Sequence, residues 1–377
     1  MAIIVKQVAD KKALKAFIEF PNRLYKGVYG YVPKLFMDEM DTLDESKNPV
    51  CAFCDFALYL AYRDEEIVGR VAAILNKSAN ERWNHKEVRF GWIDFIDDEN
   101  VSKALIDKVM EYGRERGMEQ IAGPLGFTDF DPEGMLVEGF EYINTMALIY
   151  NYPYYKEHLE RLGFLKEVDW LEYKVFIPRE VPYKIARVAK IAEQRTGFKV
   201  VKLTKESIRK HDYGRKIFRA INATYKNLYN FTILPESVID SYVDKYLGLL
   251  DMDFVTIIVD RDNEIAAFAV SMPSITRALK KCDGHLFPTG WYHVIKSMYV
   301  KHEESVELML VGVLPEHKNK GLLAMIFNDL IPRYVKAGFK YGETNAELES
   351  NIAMQSQWDM FETEQTKRRR VYRKSLI

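Results

Sequence analysis

The residues best placed to do chemistry in this chain lie between Leu308 and Met325. An apolar run, Leu308-Met-Leu-Val-Gly-Val-Leu314, ends at Pro315 and gives way to Glu316-His-Lys-Asn-Lys320. Gly321 then opens a second apolar run through Leu322, Leu323, Met325 and Ile326. The pattern predicts a strand, a basic loop and a helix. Backbone N–H groups and the positive end of a helix dipole converge on the loop, which makes it a cradle for an anion. A glycine there lets a ligand approach the backbone where a side chain would block it. Lys318 and Lys320 add charge. The plainer alternative is an ordinary strand–turn–helix with a solvated basic turn.

Other candidates are more scattered. Glu343-Thr-Asn-Ala-Glu-Leu348 reads as a strand whose period of two puts Glu343, Asn345, Glu347 and Glu349 on one face. That face is either solvated or a source of carboxylates for proton transfer. His293, in Trp291-Tyr-His-Val-Ile295, reads as part of an aromatic strand and is either a base or a structural histidine. Tyr225, Tyr229 and Phe231 sit in a helix-to-loop stretch that forms core or lines a pocket. Thr128-Asp-Phe-Asp-Pro-Glu133 holds three carboxylates without the spacing of a calcium loop, so it reads as a turn or as a cleft wall attractive to a cationic amine. Cys51 and Cys54 have C-x-x-C spacing, but no second pair exists and a strand follows. This excludes a structural zinc and a thioredoxin-like site, and leaves two half-buried thiols. No metal site is expected.

Composition narrows the classes. With 377 residues the chain is long for one core, so two domains are expected. It is 48% hydrophobic and 29% charged, a folded profile. Its 54 basic and 55 acidic residues leave a net charge of -1, without the global pull toward nucleic acid that a basic protein has. No apolar run reaches membrane-span length and the start does not resemble a signal peptide. A cytoplasmic protein is expected, with peripheral membrane association open.

The elements that must position these residues repeat. Leu58–Tyr62 and Val68–Ile74 flank Arg63-Asp64, and Val255–Val259 and Ala266–Val270 flank Arg261-Asp262, so the Arg-Asp pairs lie 198 residues apart. Each reads as a hairpin. Each half also ends on a helix and a strand: Tyr155–Phe164 before Trp170–Val175, and Ile352–Phe361 before Val371–Arg373. Two matches at nearly one offset point to tandem homologous domains. A proline-marked boundary falls at Pro178–Pro182. Within each half the order is strand, helix, strands, strand–helix–strand, helix, strand, which implies a mixed α/β sheet with a crossover.

Pro315-Glu316 followed by Lys318-Asn-Lys-Gly-Leu-Leu323 resembles the acyl-CoA loop of the GNAT superfamily of N-acetyltransferases, Arg/Gln-x-x-Gly-x-Gly/Ala after a strand ending near Pro-Glu. Lys318 stands where Arg or Gln is usual, and Leu323 where Gly or Ala is usual. The family's next motif, an Asn at a strand end and a Tyr seven residues on, is met by Asn351 and Trp358. Tandem arrangements of this kind resemble N-myristoyltransferases and Fem-type peptidoglycan aminoacyltransferases. Gly123–Gly134 and Asn151–Tyr155 are similar to segments of uncharacterised bacterial GNAT-like proteins. The resemblance covers most of the chain as fold, and residues 306–361 as motif.

The resemblance implies a mixed α+β fold of two tandem GNAT-like domains. Residues 1–178 would be a degenerate copy shaping an acceptor or acyl-chain cleft. Its strand Trp92–Ile96 runs into Asp97-Asp-Glu-Asn100, whose carboxylates would repel a pyrophosphate. Residues 183–377 would bind acetyl-CoA or a longer acyl-CoA through Lys318, Asn319, Lys320, Gly321, Leu322, Leu323 and Asn351. A backbone N–H of Val313 or Leu314 would polarise the thioester carbonyl. Glu347 and Glu349 are the candidate bases, while the indole of Trp358 cannot supply a proton. The activity implied is acyl transfer to a small-molecule or lipid amine by direct attack, since no cysteine or serine sits near the loop with a base. A Fem-like aminoacyltransferase and a non-catalytic binding protein are the alternatives. In the terminal strand, Lys367–Arg370 and Arg373 are expected at a solvated edge.

Overall fold

A computed structural model describes residues 2–377, the side chain of Lys205 excepted. The chain forms two compact units. The first comprises Met1–Leu171, Ala278–His293 and Thr366–Ile377, and the second Glu172–Arg277 and Val294–Gln365.

In the first unit, strands Ile4–Gln7, Cys54–Arg63, Glu66–Asn76 and Glu87–Phe95 pair antiparallel in that order. Asp64 and Glu65 both have positive φ (45° and 71°), as a two-residue turn matching strand twist demands. Helix Glu99–Glu115 crosses over to Gln120–Gly123, which lies parallel to Glu87–Phe95. The helix forms because Asp98 caps its start, accepting from the Asn100 N–H at 2.8 Å. Its apolar stripe, Val101, Leu105, Ile106 and Val109, is buried against Val71, Phe90 and Phe95.

The second unit repeats this plan. Strands Lys199–Val201, Val255–Val259, Ile265–Pro273 and Ser305–Val313 pair antiparallel in order. Helix Leu322–Ala337 crosses over to Tyr341–Thr344, parallel to Ser305–Val313. Directions and order match the first unit strand for strand, so the architecture is a tandem α+β duplication.

The compact units do not follow the expected cut at 178–183. Residues Tyr372–Ser375 of strand Thr363–Ser375 pair with Gln120–Gly123 and complete the first unit. Residues Lys174–Phe176 of strand Leu165–Phe176 pair with Tyr341–Glu343 and complete the second. Each fifth strand thus takes its backbone partner from the other half of the sequence, a long-range choice that local pattern does not encode.

Other expectations need correction. Trp291–Ile295 lies in helix Gly290–Ile295, because the Trp291 and Tyr292 N–H groups close local turns onto Leu286 and Thr289. The strand expected over 343–348 breaks after Thr344, where the Asn345 N–H donates to Leu308 O and its side chain accepts from Ala346 N–H; pairing resumes at Glu347–Leu348. The helix expected over 352–361 is one turn, Ile352–Gln355, continuing as 3₁₀. Lys367–Arg370 is no solvated edge. Lys367 and Arg369 are buried, and Arg368 and Arg370 pair with the buried Asp169 carboxylate. Cys51 is half-buried as expected, but Cys54 is buried. Among the described residues no group of three His, Cys, Asp or Glu could hold a metal, and no helix is long and apolar enough to cross a membrane.

Candidate active site

In the second unit, Ser305–Val313 and Tyr341–Thr344 run together only from Ser305↔Tyr341 to Leu308↔Thr344 and then part. The ladder to Ile265–Pro273 slips at Val270/Ser271, leaving Met309 as a bulge. Beyond the bulge, Leu310 and Gly312 face Val270 and Phe268, and the Leu314 N–H donates to Ala266 O at 3.0 Å. The alternation of an antiparallel ladder therefore turns the N–H groups of Val311 and Val313 to the opposite, open edge. Leu314, a candidate for polarising a carbonyl, has its N–H committed to the sheet, and Val313 is the candidate left.

Three side chains close on this edge. The Tyr225 hydroxyl donates to Val311 O at 2.9 Å and lies 3.4 Å from Val311 N. Burial pushes its pKa up to about 12, the Val311 bond opposes this, and the Glu347 carboxylate adds to it. Glu347 is buried, and desolvation raises its carboxyl to about 7. Trp358, also buried, donates its indole N–H to the two Glu347 oxygens at 3.0 and 3.2 Å and partly offsets the shift. The half-buried Tyr225–Val311 pair thus lies within electrostatic reach of the buried Glu347–Trp358 pair where two parallel strands diverge. A carboxyl poised near neutrality in such a place can accept a proton during a reaction.

The basic loop follows the same strand. Pro315–His317 makes a 3₁₀ turn, and Lys318, Asn319 and Lys320 are exposed. Asn319 and Gly321 have φ of 61° and 81°. No side chain caps helix Leu322–Ala337, so its first N–H groups carry no side-chain acceptor. A Cβ on Gly321 would sit a tight 3.0 Å from the Ala192 methyl, and the φ of 81° is one that a side chain rarely adopts, so the position favours glycine. The Lys320 ammonium lies 3.1 Å from His317 Nδ1. Leu322 is buried and Leu323 half-buried in the core, which leaves only their backbone groups for a ligand. The first unit differs at the equivalent helix start. There Asp98 caps the helix and pairs with Arg63, so a carboxylate occupies the anion position.

The remaining candidates fall elsewhere. Glu349 is half-buried beyond the end of the Glu347–Leu348 strand. The Asn351 side chain caps the one-turn helix, accepting from Met354 N–H at 3.3 Å. His293 is half-buried on its short helix, and Phe231 is core. In the first unit, burial raises Asp131 to about 7, and its carboxylate closes a turn on the Thr128 N–H at 2.9 Å. Sequence reading missed the ladder position of Tyr225. Its only signal was a tyrosine at a helix end, which does not specify a strand partner 86 residues away.

No family model matches the chain. It is 26% identical to Protein YghO of Escherichia coli (strain K12), across 99% of this chain and 95% of that protein. It is 25% identical to a protein named Bacterial ceramide synthase of Caulobacter vibrioides (strain NA1000 / CB15N), across 80% of this chain and 77% of that protein. Among solved structures, a tandem GNAT protein from the clavulanic acid biosynthesis pathway superposes with a TM-score of 0.57 at 12% identity, covering 100% of this chain and 99% of that one. At that identity the likeness is one of fold, and it agrees with the strand-for-strand duplication. The chain has the tandem GNAT fold.

Proposed function

We propose that this protein is an acyl-CoA-dependent N-acyltransferase whose second unit carries the reacting centre. The observation that carries the reading is Glu347, a buried carboxyl with a pKa of about 7 beside the open strand edge. The loop from Lys318 to Leu323 fits a pyrophosphate: it offers an uncapped helix start, a glycine at a φ of 81° that leaves the backbone uncovered, and two exposed lysines. Glu347 takes the proton that the attacking amine must lose. The nitrogen–carbon bond forms, the carbon–sulfur bond breaks, and the electron pair leaves with sulfur as thiolate. The Val313 N–H, on the open edge, is our candidate donor to the carbonyl oxygen as it gains charge.

The acyl group we favour is a long chain and the acceptor a long-chain amino alcohol. The relative named Bacterial ceramide synthase supports this narrower reading. The test is calorimetry with coenzyme A, acetyl-CoA and palmitoyl-CoA, followed by mass spectrometry of amide products over amines from ethanolamine to sphinganine. Palmitoyl transfer to sphinganine is the expected result. No binding of any of the three to folded protein would sink the acyltransferase reading. Binding without any amide would leave a non-catalytic acyl-CoA protein.

A further inference from the structure

Strands Glu87–Phe95 and Gln120–Gly123 run together from Glu87↔Gln120 to Arg89↔Ala122. Beyond that point a cavity of about 40 Å³ opens, room for roughly three waters. Every residue lining it belongs to the first unit. Four aromatic side chains are among them: Tyr25, Tyr31, Trp92 and Tyr150. The Tyr25 ring stands 4.9 Å from that of Tyr31 and 5.3 Å, edge-on, from that of Tyr150. Trp92 is held there by a strained backbone. The ladder to Glu66–Asn76 slips between Arg70 and Ala72, and Trp92 has a φ of 43°, which a bulky side chain rarely takes. Its indole N–H donates to Glu39 Oε2 at 2.8 Å. Strain of this kind persists where the surroundings enforce it, and it gathers at ligand clamps.

Polarity and charge narrow what fits. Both Asp94 oxygens are engaged, one by the Tyr25 hydroxyl at 2.6 Å and one by Arg70 at 2.7 Å, and the Tyr31 hydroxyl donates to Asn22. Among the described residues no hydrogen bond falls on Glu39 Oε1 or on the Tyr150 hydroxyl. Burial pushes the Glu39 carboxyl up, against Arg70, Lys34 and the Trp92 bond, and Asp38 adds to the rise. The charges that act on Tyr31 and Glu39 are two cations, Arg70 and Lys34, and four carboxylates, Glu19, Asp38, Glu39 and Asp94. Both cations are engaged, Arg70 with Asp94 and Phe17 O, and Lys34 with Met146 O at 2.7 Å. Glu19 meets His285 at 2.8 Å. Farther out, Arg89, Lys280 and Arg369 donate to the carbonyls of Gly126, Tyr31 and Ile149, and Asp131 adds a carboxyl whose field meets Glu39. An aromatic lining with an excess of nearby carboxylate favours a cation. A primary ammonium would bring three N–H donors to two open side-chain oxygens and leave one unpaired. A quaternary ammonium brings none and binds through ring faces and charge alone. We propose that the first unit binds a quaternary ammonium cation among Tyr25, Tyr31, Trp92 and Tyr150, with Glu39 as its counter-ion. The site stands whether or not the second unit transfers acyl groups.

The experiment is calorimetry of the full chain with choline chloride, against sodium chloride at matched ionic strength. Choline should bind one to one, and ethanolamine, the same skeleton with N–H groups, at least about tenfold more weakly. Glu39→Gln keeps an acceptor for the Trp92 indole and should weaken choline about tenfold. Tyr31→Leu should weaken it about 3-fold to 30-fold. Circular dichroism should be unchanged in both, and either variant suffices if the other fails to fold. Glycerophosphocholine binding as tightly as choline would assign the cation to a lipid headgroup, and weaker binding would assign it to a free base; both uphold the proposal. No binding of choline to folded wild type overturns it, as does ethanolamine binding as tightly as choline. Folded variants that bind choline like wild type overturn it too. Titration with coenzyme A separates the two readings. Choline bound without coenzyme A removes only the acyltransferase reading, and coenzyme A bound without choline removes only the ammonium site.

Discussion

At the scale of single residues the site turns on Glu347 and what surrounds it. If it is the base, turnover should rise with pH through about 7 and level off above. Glu347→Gln should cut turnover by about 100-fold to 10,000-fold. The same change has an opposite effect on stability. The folded carboxyl titrates near 7 against an ordinary 4.5, so the native state holds a proton that the unfolded chain has lost between those values. Its favourable contribution is full below about 4.5 and is lost as pH rises toward 7. Glu347→Gln should therefore melt higher than wild type at about pH 8, by on the order of 2 kcal/mol, with little difference at about pH 4. An equal shift at both pH values would refute the buried-carboxylate account. Trp358→Phe removes the indole bond that holds this pKa down. The acid limb of the rate profile should move to higher pH, with a packing loss of about 1–3 kcal/mol. An unmoved limb would separate Glu347 from the limb or Trp358 from Glu347.

At the scale of elements, two strand–loop–helix units of one plan have diverged at the helix start. In the first, Asp98 fills the anion position of its own helix; in the second, Gly321 leaves it open. Gly321→Glu would force a side chain into φ 81°, against the Ala192 methyl, and aim a carboxylate at the helix N-terminus. We expect a stability loss of about 1–3 kcal/mol and coenzyme A affinity lowered at least tenfold by calorimetry, an effect of the added charge. Gly321→Ala shares the strain without the charge and should keep more of the affinity. Unchanged binding in the folded Glu variant would move the cofactor site away from this loop.

At the scale of the whole molecule, the last strand is part of the first unit, and Asp169 helps to hold it there. Burial alone would raise the Asp169 pKa, but hydrogen bonds from Arg370, Lys166 and Arg368 outweigh it and bring the carboxyl to about 2. That contribution is present above the ordinary value of 3.8 and is lost as pH falls through about 2. Asp169→Ala would leave two guanidinium groups without their buried partner. A loss of about 3–5 kcal/mol in urea denaturation is expected, and less than about 1 kcal/mol would mean that the strand is held by its ladder alone. Much of the plan was legible without coordinates. Hairpins, crossover helices and the duplication are written in apolar periodicity and turn residues, which are local. So was the loop at Gly321, because a glycine between a strand and an apolar helix is a local signal. Tertiary structure decided what depends on contacts distant in sequence. It broke the expected glutamate face at Asn345, brought Tyr225 onto the Val311 edge, buried Lys367 and Arg369 of the last strand, and paired Arg368 and Arg370 with Asp169. It also buried Glu347 and left Glu349 half-buried, because how much water the fold removes from a carboxyl is a property of packing and not of spacing along the chain.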